Sequence, residues 1–145
     1  GVLAGYPVVN LKATLVDGSY HAVDSNELSF KLAARLAYRA GLPQADPVLL
    51  EPIDKLMVHI PDDFLGDIMG DLNKRRGRIM GIHPDTIQGH QIVEAEAPRA
   101  EIAKYATDLK SMTQGRGWFT IDFVRYEQVP QNISERIIAA AQSEE

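Results

Sequence analysis

Thr107–Phe119 reads TDLKSMTQGRGWF and echoes an earlier stretch, Pro61–Arg78, which reads PDDFLGDIMGDLNKRRGR. Asp71-Leu72 follows Pro61 at the same interval by which Asp108-Leu109 follows Pro98, and each stretch runs from a helical pattern through a Gly/Arg turn into a strand. The first helix opens on Pro61, Asp62 and Asp63, carries Phe64, Ile68 and Leu72 on one face, and ends on Lys74, Arg75 and Arg76 before Gly77. That order suits the helix dipole and gives the chain a standard stop. Leu56, Val58 and Ile60 alternate ahead of it as a strand, Arg78–Ile82 follow as a second, and Gln91–Ala97 as a third. A fourth begins at Trp118, with Phe119, Ile121 and Phe123 predicted on its inner side and Trp118, Thr120, Asp122 and Val124 on the other. A βαβ unit repeated once predicts an α+β fold, the ferredoxin-like split βαβ sandwich of four antiparallel strands with two helices on one face. The duplication also predicts that Lys74–Arg78 and Ser111–Gly117 form two corners at one end of the sheet.

Upstream the pattern is thinner. Val9, Leu11, Ala13 and Leu15 alternate with Asn10, Lys12, Thr14 and Val16, which predicts a strand with one buried face. After Asp17-Gly18, the spacing of Asp24 and Glu27 fits a capping box, and Leu28, Leu32 and Leu36 with Ala33 and Ala37 form an apolar helical face. One strand and one helix cannot close a core in about 40 residues. This segment therefore reads as part of a larger domain, separated from the duplicated region by the Gly41, Pro43 and Pro47 interruptions. Beyond Pro130, Asn132 or Ser134 is expected to cap a last helix through Ile137, Ile138 and Ala141, followed by a polar tail expected to fray.

Composition narrows the chemistry. The 145 residues are 45% hydrophobic, enough for a packed core, and contain no cysteine, which excludes disulfides and thiolate metal sites and fits a reducing, cytoplasmic setting. No apolar run nears the roughly 20 residues that span a bilayer. A formal charge of -5 argues against general coating of nucleic acid, so a polyanion contact must be local. The Thr113-Gln114-Gly115-Arg116-Gly117 turn is one candidate, since backbone N–H groups, an amide and a guanidinium together suit an anion; a plain helix C-cap accounts for the same glycines. Four basic residues within Lys74–Arg78 make the second candidate, a phosphate-contacting edge, against the alternative of a solvated helix end. His21, between a turn and a helix start, is an exposed loop histidine without a partner at metal-ligand spacing. The chain has no G-x-x-x-x-G-K-[ST], no G-x-S-x-G elbow and no zinc-spaced histidine pair among His21, His59, His83 and His90. No catalytic residue and no metal site is expected. The aromatics that an RNA-recognition sheet needs are missing from Gln91–Ala97, and those of the last strand are assigned to the core.

The words GYPVVNLKATLVDGSYHAVDSNELSFKLA, DPVLLEPI, GDIMGDLNKRRGRIMGI, YATDLKSMTQGRGWF and YEQVP, in this order and spacing, resemble the C-terminal part of translation elongation factor G or an elongation factor G-like paralogue. The resemblance implies the end of domain IV over residues 1–45 and domain V, ferredoxin-like with a C-terminal helix, over residues 46–145. It implies a ribosome-interacting portion of a translational GTPase that promotes tRNA/mRNA translocation in protein synthesis, with no enzymatic activity in this portion. GTP and Mg are expected in a GTP-binding domain outside these residues. GSYH matches a loop at the tip of domain IV, which makes His21 a tRNA and decoding-site contact. Ser111, Thr113, Gln114 and Arg116 are implied contacts with large-subunit ribosomal RNA near the sarcin-ricin loop and stalk base, with Arg75, Arg76 and Arg78 as further ones. The implied partner is the ribosome, with no DNA and no membrane. Asn10, Ala22, Arg99 and Lys110 depart from the family's usual residues, and Trp118 is larger than the usual one. Ribosomal protection proteins of tetracycline resistance share these domains. A small-molecule regulatory module or, more remotely, an acylphosphatase-like hydrolase could use the same sheet.

Overall fold

The computed structural model describes residues 1–143, whose contacts form two units: Leu50–Gln128, and Gly1–Leu49 together with the residues from Val129 onward. The sequence reading groups the last helix with the sheet, over residues 46–145. Part of the tail expected to fray, residues 144 and 145, lies outside the described residues.

In the unit Leu50–Gln128, strand β1 (Leu50–Pro61) lies between β3 (His90–Pro98) and β4 (Trp118–Gln128), and β2 (Arg78–Pro84) pairs with the far side of β3. Every pairing is antiparallel. The helices, which we number α2 (Leu65–Lys74) and α3 (Tyr105–Met112), each follow one turn of 3-10 helix, Asp62–Phe64 and Arg99–Ile102. This is the α+β ferredoxin-like arrangement. Alternation puts Leu56, Val58 and Ile60 of β1 and Val93, Ala95 and Ala97 of β3 on one face, where Ile68, Leu72, Ile102, Tyr105 and Leu109 cover them. Each large aliphatic side chain buried there contributes about 1.5–3 kcal/mol relative to exposure.

Two expectations fail here. β4 was to bury Phe119, Ile121 and Phe123, yet only Phe119 packs on the core, edge-on to Tyr105 at 5.1 Å between ring centroids; Ile121 is exposed and Phe123 is 52% exposed. β4 is an outer strand, and the two helices leave its later part uncovered. The register also slips: Phe123 stands opposite Asp54 but Arg125 opposite Ile53, so Val124 bulges. A second bulge interrupts β2 between Ile79 and Gly81.

The other failure concerns the corners. β2 runs parallel in direction to β1, whereas β4 runs against it, so the turns entering β2 and β4 lie at opposite ends of the sheet. Arg78, at the start of β2, is level with Lys55 through Glu96, whereas Trp118, at the start of β4, is level with His59. The four-residue separation along β1 is about 13 Å. Duplication in sequence became rotation in space, and rotation separates what the sequence aligned.

The other unit contains α1 (Glu27–Gly41), a 3-10 turn at Leu42–Ala45, and α4 (Gln131–Gln142). The cap of α1 is Asn26, whose side chain accepts from Ser29 N–H while the Ser29 hydroxyl accepts from Asn26 N–H; the expected Asp24/Glu27 box does not form. α4 begins after Pro130 without a side-chain cap, contrary to the Asn132 or Ser134 expectation; the Ser134 hydroxyl instead donates to Gln131 O. Val9–Val16 is not a strand: among the described residues no neighbour pairs with it, and Asn10 at φ 57° interrupts the extended run. The apolar face of α1, including Leu28, Leu32 and Leu36, is exposed.

Candidate nucleic-acid interface

The turn that follows α3 is built around a buried threonine. Thr113 Oγ1 donates to Leu109 O at 2.7 Å and accepts the Gly117 N–H at 2.7 Å, with no side-chain surface left to solvent. Thr113 is thus the internal strut of the turn, which corrects its placement among RNA-contacting residues: a buried hydroxyl with both hydrogen bonds made has nothing to offer a partner. Gly117 is required by this strut, since a Cβ there would stand 2.8 Å from Thr113 Oγ1 and 3.1 Å from Leu109 Cδ1.

Outside the strut the chain doubles back. Gly115 N–H donates to Lys110 O at 2.7 Å and Lys110 Nζ to Gly115 O at 3.1 Å, with Gln114 at φ 53° and Gly115 at φ 82°. Ser111, Gln114 and Arg116 are all exposed around this loop. The Arg116 guanidinium lies 5.0 Å from the Phe64 ring centroid, a cation–π contact that holds it, and among the described residues it makes no salt bridge with a carboxylate. A held cation with an unused charge beside an amide and a hydroxyl is suited to a phosphate.

The turn that follows α2 is different. Arg75 Nε donates to Asp71 at 2.7 Å, one terminal nitrogen to Asp108 at 2.6 Å and the other to Glu101 O at 3.0 Å, while its guanidinium lies 5.1 Å from the Tyr105 ring centroid. The Asp71 hydrogen bond raises its pKa, against the cost of burial. Arg76 makes a forked pair with buried Glu51 and a looser one with Glu101, and the Glu51 bond raises it likewise. Arg78 is exposed but donates to Glu96, which also takes two bonds from Arg125; that Arg125 contact is foremost in holding the Glu96 carboxyl below its usual range. These arginines bind the protein to itself. They lie at the far end of the sheet from Arg116, so the single two-cornered edge expected from sequence does not exist.

His21 lies in an exposed turn, its N–H donating to Ser25 Oγ at 2.8 Å and its carbonyl accepting Ser25 N–H at 2.9 Å. It belongs to the unit that holds α1, and its ring is open to solvent.

Sequence reasoning missed two polar constellations. Asp54, fully buried on the helix face of β1, receives two bonds from Arg99, at 2.7 and 2.8 Å. Its signal was present, because Asp54 continues the inward phase of Leu56, Val58 and Ile60. On the opposite face, His59 Nδ1 meets Asp85 Oδ2 at 2.7 Å and the His59 ring stacks on Trp118, centroids 3.7 Å apart and planes 7° from parallel. The His59 bond is foremost in holding the Asp85 carboxyl below its ordinary value. No local pattern links those three residues; they meet only through strand register.

Known proteins resemble the chain along its length. Residues 48–137 match the family described as elongation factor G C-terminus, and residues 1–46 match elongation factor G, domain IV. A crystal structure of a protein from Thermus thermophilus is similar over the whole of this chain, at 43% identity and a TM-score of 0.85. The chain spans 22% of that protein's length.

Proposed function

We propose a function from one premise: the chain belongs to the elongation factor G family, a family of translation elongation factors. It acts as the ribosome-contacting C-terminal portion of a translational GTPase that promotes tRNA and mRNA movement, in the cytoplasm. No helix among the described residues is long and apolar enough to cross a membrane.

The observation that carries this reading is the loop Ser111–Arg116, where Arg116 holds an unused charge beside the exposed Ser111 and Gln114. Large-subunit ribosomal RNA is the proposed partner. The Phe64 contact restrains the guanidinium before binding, so Arg116 has less side-chain freedom to lose. Arg75 and Arg76 support the site only indirectly, Arg75 by tying α2 to α3 and Arg76 by tying the turn after α2 to β1. His21 contributes contact and steric occupation in the decoding region, and no proton transfer is asked of it.

Nucleotide chemistry does not fit these residues. The sequence offers no phosphate-binding loop, and among the described residues no group of three His, Cys, Asp or Glu side chains could hold a metal. GTP and Mg are assigned to a different part of the proposed parent.

Co-sedimentation of the chain with ribosomes tests the reading. Binding is expected to be weak, to fall as salt rises, and to drop about tenfold or more in Gln114→Ala/Arg116→Ala, with an unchanged melting temperature. Binding that is indifferent to salt, or equal in the double variant, would refute it.

A further inference from the structure

We propose that Trp118, two residues along the chain from Arg116, is a stacking platform for an unpaired nucleobase of RNA. The proposal rests on the ribosomal RNA reading of the Ser111–Arg116 loop and extends it to a base-recognising element.

The geometry is specific. Trp118 starts β4, two residues after Arg116, and points to the sheet face opposite the helices. An indole on an exposed strand is ordinarily a mobile side chain. Here one ring face is occupied by His59 at 3.7 Å, nearly parallel, and His59 is anchored in turn by Asp85. The brace is well covered: the side chains of His59 and Asp85 are 14% and 4% exposed, whereas Trp118 remains 45% exposed. β4 is an outer strand, so no further strand lies beyond the indole, and among the described residues His59 is the sole ring stacked upon it. The structure thus holds a large aromatic plane that is braced on one side and still nearly half exposed.

Such a plane suits a base more than a protein side chain for two reasons. Nucleobases stack on aromatic planes whatever their identity, and binding to a ring that is already fixed forfeits little rotamer freedom. The turn before Trp118 carries Arg116, and Lys110 stands at the end of α3 with its ammonium on Gly115 O; among the described residues neither has a salt bridge to a carboxylate. A strand of RNA that meets Arg116 therefore passes Trp118 within two residues of the same chain segment. Of the acids on the same face, Asp85 is engaged by His59 and Glu94 by His83 and Lys55, while Asp122 and Glu96 lie farther along the strands.

Trp118 is the chain's single tryptophan, which makes the test direct. The full chain is titrated with single-stranded rA12 and with a blunt RNA duplex of equal length while indole fluorescence is followed, and ribosome co-sedimentation is run in parallel. The single strand is expected to quench the emission and the duplex to leave it nearly unchanged. By anisotropy of a labelled rA12, Trp118→Ala should weaken binding about 5- to 100-fold, and Trp118→Phe about threefold. Because Trp118→Ala could loosen the sheet, its melting temperature is compared with that of Trp118→Phe, and His59→Ala serves as a second probe that removes the brace while keeping the indole. Equal quenching by duplex and single strand overturns the platform. So does normal binding of rA12 by a folded Trp118→Ala, and in that case ribosome binding lost in Gln114→Ala/Arg116→Ala leaves the loop reading standing. Ribosome binding that falls in Trp118→Ala with no quenching by any RNA moves the contact to a ribosomal protein and refutes the base assignment. Wild-type chain that ignores ribosomes but is quenched by rA12 retains the platform while the ribosomal reading falls.

Discussion

The turns after α2 and α3 descend from one repeated pattern but do opposite work. Both end on a glycine pressed against the preceding helix: a Cβ on Gly77 would stand 2.6 Å from Leu72 O, and one on Gly117 would meet Thr113 and Leu109. Both also carry a non-glycine residue in the left-handed region, Arg76 and Gln114. Beyond that shared frame the first turn spends its arginines on Asp71, Asp108, Glu51 and Glu101, while the second is longer, is braced by a threonine, and leaves its arginine charge open. A run of basic residues in a sequence therefore says little about a binding surface until the partnering acids are known. The denser cluster, Lys74–Arg78, is the more self-satisfied one.

That contrast can be broken most forcefully at Arg75. Arg75→Ala strands two carboxylates and a carbonyl, and should lower unfolding free energy by about 3 kcal/mol in urea titration; a loss below about 1 kcal/mol would mean that its bonds are not structural. Thr113→Val keeps the volume but leaves the Gly117 N–H without its acceptor, and about 2 kcal/mol of stability should disappear. Arg116→Ala is the mirror experiment to Arg75→Ala: a stability change within about 0.5 kcal/mol, with the loss confined to RNA binding. The smallest effect is expected at Tyr105, whose buried hydroxyl finds no hydrogen-bond partner among the described residues and is pushed above its usual pKa chiefly by burial. Tyr105→Phe should be neutral or stabilising by up to about 1 kcal/mol, and a clear destabilisation would reveal a polar partner for that oxygen.

Acid should weaken both ends. Glu96, at the Arg78 end, has its folded pKa depressed, so its contribution to stability is complete above the ordinary carboxylate range of about 4 and is lost as pH falls through the lower folded value. Asp85, which belongs to the Trp118 end, is depressed by His59 in the same direction. Melting temperatures recorded downward from pH 5 should therefore fall in the wild type, and the fall should be shallower in Glu96→Gln, which no longer titrates.

The strands, the two helices and their duplication could be read from the sequence because each rests on local periodicity: Leu56/Val58/Ile60 with period two, Ile68/Leu72 with period near four. The direction in which each repeated unit points is not local, and the misplacement of Arg75, Arg76 and Arg78 beside Arg116 came from that. Thr113 was misassigned for a related reason. A threonine in a polar loop looks exposed until the turn closes over it, and closure depends on the later glycine. His59, Asp85 and Trp118 are 26 and 33 residues apart in successive steps, brought together by the β1–β4 register and the loop after β2. Val9–Val16 shows the converse: correct alternation without a pairing partner makes no strand.

The bulges at Val124 and between Ile79 and Gly81 have a consequence for the protein in concentrated solution. They fall on β4 and β2, the two outer strands, and so each rim of the sheet carries a break in its ladder of exposed N–H and C=O groups. A second copy arriving edge-on could match the ladder on one side of the bulge but not on both. The backbone geometry of both outer strands thus makes each rim a poor template for a fifth strand.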